Sequence, residues 1–210
     1  ADFPLMYSHI HNQTKYAKVP TDLPEFMEWY SREQPQVNID SDSSFDFLDY
    51  ETKQALYSSF VSVDIQHEVE TTLNQKCSIK ANIGNLPVHL NIYHASESPN
   101  VISTVSSDIC KAICIIYNIS NNSTNKRRQL PTNVKLNIWR TNRSKCFPNQ
   151  RGKAITCKHV NSGSTSFWGG KSEVINIWRK EERLKVAIHE LIHYFQWDFF
   201  CNKDHTLKIR

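Results

Sequence analysis

The pattern of hydrophobic and polar positions predicts a series of helices and strands from about residue 45 onward. Cap-forming residue types at 42–44 precede residues 45–76, where apolar side chains recur at helical intervals and no proline intervenes. This segment predicts one bent helix or two. Residues 79–93 then alternate between apolar and polar side chains around a Gly84-Asn85 turn, which predicts a pair of strands.

The middle of the chain has a less regular pattern. Ser107 and Asp108 are suited to cap a helix that runs to about Ile116, although residues 113–117 fit a buried strand equally well. The polar residues 118–133 predict a loop.

Strand-type alternation returns in the second half of the chain. Residues 134–139 predict one strand, and residues 174–177 predict the last one. Between them, residues 141–158 are typical of loops, and the small residues at 161–164 and 169–170 predict tight turns.

The tetrapeptide Asn-Ile-Trp-Arg occurs twice, beginning at Asn137 and at Asn176. Two short copies do not establish an internal repeat. Because each copy falls in or beside a predicted strand, the two segments are candidates for neighbours in one sheet.

A last helix is predicted directly after the strand at 174–177. Glu181 and Glu182 are expected in its first turn, where negative charge complements the helix dipole. His189 and His193 lie roughly opposite an apolar stripe on this helix. The stripe consists of Leu184, Ala187, Ile188, Leu191 and Phe195. Because the helix is apolar nearly all round, we expect it to be buried.

The same helix contains one complete H-E-x-x-H pattern, formed by His189, Glu190 and His193. Residues four apart lie on one face of a helix, so both imidazoles can bind one Zn²⁺ ion. A carboxylate directly after the first ligand can take a proton from a metal-bound water, which makes Glu190 the candidate general base. The alternative is a pair of core histidines satisfied by hydrogen bonds. The earlier His67-Glu68 pair lacks a second histidine, and we interpret it as a solvated helix face.

The H-E-x-x-H residues resemble the zincin metallopeptidases. Across roughly residues 107–200, the chain also resembles the predicted zinc peptidases that giant and other large DNA viruses encode. That narrower resemblance is carried by Leu130-Pro131, residues 136–140, 160–163 and 177–182, the H-E-x-x-H segment, and residues 197–199. The chain departs from the viral family at Gln196, where glycine is usual, and at Phe200, where a small polar residue is usual.

The resemblance implies an α+β fold in which a small mixed sheet packs on the H-E-x-x-H helix. Residues 45–210 would form this zincin-like domain. In zincins an edge strand often binds the extended substrate, and such main-chain pairing needs no particular side chain. We expect the strand at 134–139 or the one at 174–178 to be that edge.

A catalytic zinc site usually has three protein ligands and one open position, and the pattern supplies only two. Asp198 is the first candidate for the third, because the viral resemblance includes it, but it can reach only if the helix ends soon after His193. Asp198 fits equally well as a hydrogen-bond partner of a ligating histidine. His205 is the second candidate, and an upstream residue such as His159 or Glu173 is a further one.

Residues 1–44 are predicted to form an N-terminal extended arm. Four of the eight prolines lie in it, which excludes long regular elements. The arm also carries many large apolar side chains, so we expect it to be ordered by packing on its own domain or on a protein partner.

Composition limits the other possibilities. The 210 residues fit one domain with an arm, and the net charge of +4 is scattered apart from Lys126-Arg127-Arg128. We interpret that run as a solvated loop and expect no nucleic-acid partner, because no aromatic platform surrounds it. No apolar run approaches the ~18 residues of a transmembrane helix, so no transmembrane segment is predicted.

The six cysteines do not suggest a dense disulfide framework. Cys146 and Cys157 could close a short disulfide loop. Cys110 and Cys114 would share one helix face, and we interpret them as small buried hydrophobic residues.

The sequence therefore predicts a zinc-dependent peptidase that acts on a protein or peptide substrate. The viral resemblance implies a location in a virion or in the host cytoplasm. The alternative is a zincin-like domain with weak or no catalysis, kept as a structural, capsid-associated protein. The aromatic arm and the unassigned third ligand favour that alternative.

Overall fold

The computed structural model of the chain describes residues 36–40, 50–121, 130–147, 152–168, 171–197, 199–201 and 207–209. The helices in these ranges are α1 (Tyr50–Leu56), α2 (Val63–Thr72), α3 (Pro99–Asn121), α4 (Cys157–Val160) and α5 (Arg183–Tyr194). The strands are β1 (Gln36–Asp40), β2 (Gln75–Ile83), β3 (Leu86–His94), β4 (Val134–Thr141), β5 (Gly163–Trp168), β6 (Lys171–Arg179), β7 (Phe199–Cys201) and β8 (Leu207–Ile209).

The first six strands form one mixed sheet in the order β1-β2-β3-β4-β6-β5. The strands β3, β4 and β6 are parallel, whereas β1, β2 and β5 each pair antiparallel with their neighbours. The strands β7 and β8 pair separately as a hairpin. The fold is therefore α+β with a mixed sheet, as predicted.

The edges of the sheet are not the ones that the sequence suggested. The segments 134–139 and 174–178 lie in β4 and β6, which have neighbours on both sides. The expectation that either is an edge strand is wrong. Among the described strands the edges are β1 and β5, and β5 includes Gly163 and Ser164, for which the sequence predicts a turn. Since these residues are small and polar, only the pairing with β6 makes them a strand.

The sheet separates two hydrophobic cores. Successive side chains of a strand point to opposite faces, so Ile138 and Trp139 enter different cores. The larger core includes Ile138 and lies under α3 and α5. The smaller core joins Trp139 to Tyr93, to Trp178 and to the apolar side chains of α1 and α2.

The two Asn-Ile-Trp-Arg segments are neighbours in the sheet, as predicted. Asn137 lies opposite Asn176, and Ile138 lies opposite Ile177. A related segment, Asn91-Ile92-Tyr93-His94, continues the same register on β3. One short pattern thus occupies three adjacent parallel strands.

Equivalent positions of this pattern contact one another across the sheet. The Asn91 side-chain amide donates to Asn137 Oδ1 at 3.0 Å, and the Asn137 amide donates to Asn176 Oδ1 at 3.2 Å. Ser78 on β2 extends the row by donating to Asn91 Oδ1 at 2.9 Å. The next row is a stack of Tyr93, Trp139 and Trp178, with ring centroids 5.6 and 6.5 Å apart. The amide row and the aromatic stack both favour the observed register.

Helix α3 is longer than predicted. It begins at Pro99, eight residues before the expected cap, and runs through Asn121 into the segment predicted as a loop. Proline suits the first turn of a helix because its missing N–H would be unpaired there. Cys110 and Cys114 share its buried face, as predicted, and burial raises the pKa of the Cys110 thiol to about 11.

The length and composition of α3 would suffice to cross a membrane, which the sequence analysis had not anticipated. More than half of its apolar window is buried inside the protein, against β2, β3 and α5. A core helix has these same properties.

The segment 45–76 contains two helices, one of the two predicted outcomes, and it ends in β2, which begins at Gln75. Within α2, His67 is exposed, but the prediction of a solvated face is wrong for Glu68. The Glu68 carboxylate accepts a hydrogen bond from Asn142 N at 2.7 Å and pairs with Arg143 Nε at 2.8 Å. It is buried because it ties α2 to the end of β4.

The junction of β6 and α5 also differs from the prediction. Glu181 and Glu182 precede the helix and do not lie in its first turn. Glu181 Oε1 accepts from Lys145 N at 2.7 Å, and Glu182 Oε2 pairs with Lys145 Nζ at 2.6 Å. The two carboxylates thus hold the 142–147 segment against the start of α5.

The short disulfide loop that Cys146 and Cys157 could close is not formed, because the Cys146 thiol is free. Its segment is fixed instead by the Arg179 guanidinium, which donates to Asn161 O, Arg143 O and Ser144 O at 2.8–3.1 Å.

Part of the predicted arm belongs to the sheet. Residues 36–40 form β1 and pair with β2, so this part of the segment 1–44 is a short strand of the sheet. The other arm residues, 1–35 and 41–44, lie outside the described residues, as does the basic run at 126–128.

The amide row predicts a large effect of Asn137→Ala on stability. The substitution leaves the Asn91 amide and the Asn176 carbonyl without this partner, so the free energy of unfolding should fall by about 1–3 kcal/mol. Urea unfolding followed by circular dichroism measures the change. The exposed Asn82→Ala on β2 is the control, with an expected change within about 0.5 kcal/mol. Equal stability of the two variants would contradict the proposed importance of the row.

Candidate metal centre

Helix α5 lies on the sheet with one side facing the larger core. Ala187 and Leu191 are fully buried, and Leu184, Ile188 and Phe195 complete the predicted stripe against the same core. The prediction that the whole helix is buried is wrong, because its other side is open. That open side carries His189, which is exposed, and His193, which is half-buried.

The two histidines converge. Their Nε2 atoms are 3.0 Å apart, and their rings are nearly perpendicular, with centroids 4.6 Å apart. One ion that binds two imidazoles at about 2.0–2.1 Å in a tetrahedral site separates the nitrogens by roughly 3.3 Å. The observed separation is shorter than that spacing and is the length of an N–H···N hydrogen bond between the two rings, as in the alternative of a hydrogen-bonded histidine pair. Because both imidazoles lie on one helix face with their Nε2 atoms together, they are also candidates for two ligands of a single zinc ion.

Glu190 lies on the side of α5 that contacts β5. It is 6% exposed, and its Oε2 accepts a hydrogen bond from Thr165 Oγ1 at 2.9 Å. The same hydroxyl lies 3.0 Å from the backbone oxygen of Glu190. The carboxylate is thus fixed from the sheet as well as from its own helix.

The strand β5 approaches the helix closely at Gly163. A Cβ atom at this position would lie 2.7 Å from Val186 Cγ1, 3.1 Å from Glu190 Cγ and 3.0 Å from the backbone oxygen of Asn176. Such distances leave no room for a side chain. The absence of a Cβ at Gly163 therefore permits the contact between β5 and the helix turn that carries Glu190.

Helix α5 ends one residue after His193. Gln196 has a left-handed backbone with φ of 55°, and its N–H donates to His193 O at 2.8 Å. Trp197 N donates to Ile192 O at 2.9 Å. These two bonds form the helix-ending motif in which a left-handed residue, usually glycine, reverses the chain. The break that the Asp198 prediction requires is present, although glutamine occupies the left-handed position.

Two aromatic side chains fix this end of the helix. Trp197 packs on the larger core and donates from Nε1 to Ser120 Oγ on α3 at 2.8 Å. The Tyr194 hydroxyl donates to Asn133 O at 3.0 Å and lies 3.4 Å from Glu173 O. Burial raises the pKa of Tyr194 to about 12, so its phenol remains a donor at neutral pH. The end of α5 is thereby joined to α3 and to the starts of β4 and β6.

The described residues do not supply a third ligand. Within them, no group of three or more His, Cys, Asp or Glu side chains could hold a metal ion. His159 lies on α4, where its Nδ1 accepts from Thr156 N at 3.0 Å, and Glu173 is exposed at the start of β6. Neither joins the two histidines. Asp198 and His205 lie outside the described residues, so their assignment stays a prediction.

Sequence reasoning found His189, Glu190 and His193 but missed the contribution of β5. Gly163 and Thr165 lie two residues apart, so they face the helix together. A signal was present, because Gly163 belongs to the segment 160–163 that carries the viral resemblance. The small residues around it were interpreted as a turn, so Thr165 was not recognised as a residue that contacts Glu190.

No protein-family model, curated protein or solved structure matches this chain.

The close approach predicts that Gly163→Ala damages the site. The new methyl group must displace the Val186 side chain, β5 or α5, so the free energy of unfolding should fall by about 1–3 kcal/mol. Thermal unfolding of the metal-free protein measures this effect. Adding Val186→Ala should recover part of the loss, since it removes the closest contact. A Gly163→Ala variant as stable as the parent would contradict the packing described here.

Proposed function

We propose that the chain is a zinc-dependent peptidase with a zincin-like arrangement of its active-site helix and sheet. The observation that carries the proposal is the convergence of the His189 and His193 Nε2 atoms beside a buried Glu190. The packing of α5 on an antiparallel edge strand supports the zincin-like part.

His189 and His193 would hold the zinc ion through Nε2. Neutral imidazole is a suitable zinc ligand, and the open side of α5 leaves both rings accessible. When bound, zinc lowers the pKa of a water molecule and polarises a carbonyl group. The protein groups perform the remaining tasks.

Glu190 acts as the general base and then as the general acid. Its carboxylate takes a proton from the attacking water and delivers that proton to the leaving nitrogen when the peptide bond breaks. Water supplies a hydroxyl group to the carbonyl carbon and one proton to Glu190. That proton then goes to the leaving amine, so all the atoms of water are accounted for. The tether to Thr165 holds the carboxylate in place for this task.

The edge strand β5 is the candidate for substrate alignment. Among the described strands it pairs only with β6, so its other edge is available for main-chain pairing. A bulge between Ser166 and Phe167 interrupts the pairing of β5 with β6. An extended peptide paired along β5 would pass beside the helix turn that Thr165 and Gly163 contact.

Asp198 remains the first candidate for the third ligand. The chain reversal at Gln196 ends α5 immediately after the histidines, which is the condition that this assignment requires. A carboxylate beside two imidazoles forms a ligand set that zinc hydrolases use. His205 remains the second candidate.

A zincin-like structural protein with weak or no catalysis is the second proposed function. The observation that favours it is that the described residues provide two ligands and no third. A chain of this kind would cleave peptides weakly or not at all, whether or not it holds zinc. The viral, capsid-associated role belongs to this alternative.

The histidine pair predicts about one equivalent of zinc in protein purified without chelator. His189→Ala or His193→Ala should remove most of it, because each leaves one imidazole where two converge. Plasma-emission metal analysis measures the content. The exposed His67→Ala is the matched control and should keep full zinc. A metal-free parent would exclude the zinc site.

Glu190→Gln should retain zinc and fold while abolishing peptide cleavage. Glutamine keeps the shape of the side chain but cannot accept the proton of water, so the turnover number should fall by at least about 100-fold. Mass spectrometry of a peptide pool incubated with each protein provides the measurement. Unchanged cleavage by the variant would remove Glu190 from the mechanism, and an inactive parent that holds zinc would favour the structural alternative.

The third ligand can be assigned by comparing Asp198→Asn with His205→Ala. Asp198→Asn should weaken zinc binding by about 10–100-fold if the carboxylate only orients a histidine, and by more if it binds zinc. His205→Ala should change zinc affinity little. Competition with a chromogenic chelator measures both affinities. The reverse order would assign His205 instead.

A further inference from the structure

We propose that Thr165 is a positioning residue that fixes the carboxylate of Glu190 for its work as a proton carrier. This inference rests on the proposed function and adds a residue to it. Thr165 lies on β5 and makes its contact through a hydroxyl group that lies 2.9 Å from Glu190 Oε2.

The position of the Thr165 hydroxyl is determined by the sheet. Thr165 pairs with Ile175, a fully buried residue of β6, in the regular part of β5 that precedes the bulge. A β-branched side chain has few rotamers on a strand. The hydroxyl is therefore held at a point that does not depend on the conformation of α5.

Glu190 needs such an external support. A glutamate has three side-chain torsions, and fixing them costs conformational entropy. Gly163 permits β5 to pack near Glu190 Cγ, which limits the first torsions, and Thr165 holds the carboxylate itself. Two residues on one face of one strand thus restrict the side chain along its length.

The Thr165 hydroxyl has a single proton, and two oxygen atoms of Glu190 lie within its reach. Thr165 Oγ1 lies 2.9 Å from Glu190 Oε2 and 3.0 Å from Glu190 O, and a carboxylate is the stronger acceptor of the two. The carboxylate cannot move away from β5 without losing this hydrogen bond. The hydroxyl, and not the bulk of threonine, carries this role.

The test compares Thr165→Val, which keeps the shape and removes the hydroxyl, with Thr165→Ser, which keeps the hydroxyl. Thr165→Val should lower kcat on the order of 10–100-fold, the scale of a misplaced catalytic group. KM should stay within about twofold, because binding of the substrate is not affected. Zinc content should not change. Thr165→Ser should restore kcat to within about threefold of the parent.

Thr71→Val is the matched control, because it makes the same substitution on α2, a helix that packs on the smaller core. The Thr71 hydroxyl donates to His67 O at 2.8 Å, so its loss should leave kcat at the value of the parent. A Thr165→Val variant with the kcat of the parent overturns the proposal. So does a Thr165→Ser variant as impaired as Thr165→Val, because packing and not the hydroxyl would then be responsible.

A second measurement needs neither zinc nor activity. In metal-free protein, Thr165→Val should lower the unfolding midpoint by about 2–4 °C when Glu190 is present and by clearly less in the Glu190→Ala background. Equal shifts in both backgrounds overturn the contact and the proposal with it. If the contact is found but the parent neither binds zinc nor cleaves peptides, the proposed function fails, and Thr165 is left with a structural role only.

Discussion

The close packing of β5 on α5 is the constraint on which the candidate site depends. Gly163 allows backbone and helix to approach until a Cβ atom would overlap Val186. The same approach brings the Thr165 hydroxyl within hydrogen-bonding distance of Glu190. If β5 lay farther from the helix, the histidines would still converge, since their spacing is internal to α5. The candidate general base would lose its hydrogen bond with Thr165.

The sheet to which β5 belongs carries one short residue pattern on three of its strands. Three parallel strands carry the same Asn-Ile-aromatic pattern in register, so that one row of side-chain amides and one aromatic stack cross the sheet. The strand β6, the last of the three, forms the backing for β5 and leads directly into α5. The strand β6 therefore connects the three patterned strands of the sheet to the candidate site. Tyr194 and Trp197 fix the far end of the helix in the same way, through β4, β6 and α3.

Local patterns were predictable from the sequence, and most contacts made by tertiary packing were not. The helix that carries the H-E-x-x-H residues and the hairpin around Gly84 depend on residues a few positions apart, and both elements are present where they were expected. The strand β5 was missed because Gly163 and its small neighbours have weak strand propensity and become a strand only by pairing with β6. The same reason explains Glu68, whose burial depends on the end of β4. The end of α5 was hard to predict, since Gln196 takes a backbone conformation that usually favours glycine.

The central claim is that His189 and His193 hold one zinc ion beside Glu190. The most direct measurement is anomalous diffraction at the zinc absorption edge from crystals of protein purified without chelator. The account predicts one peak about 2.0–2.1 Å from the Nε2 atoms of both histidines. Crystals of zinc-supplemented protein with no peak between the two rings, or with zinc held only by other residues, would contradict it.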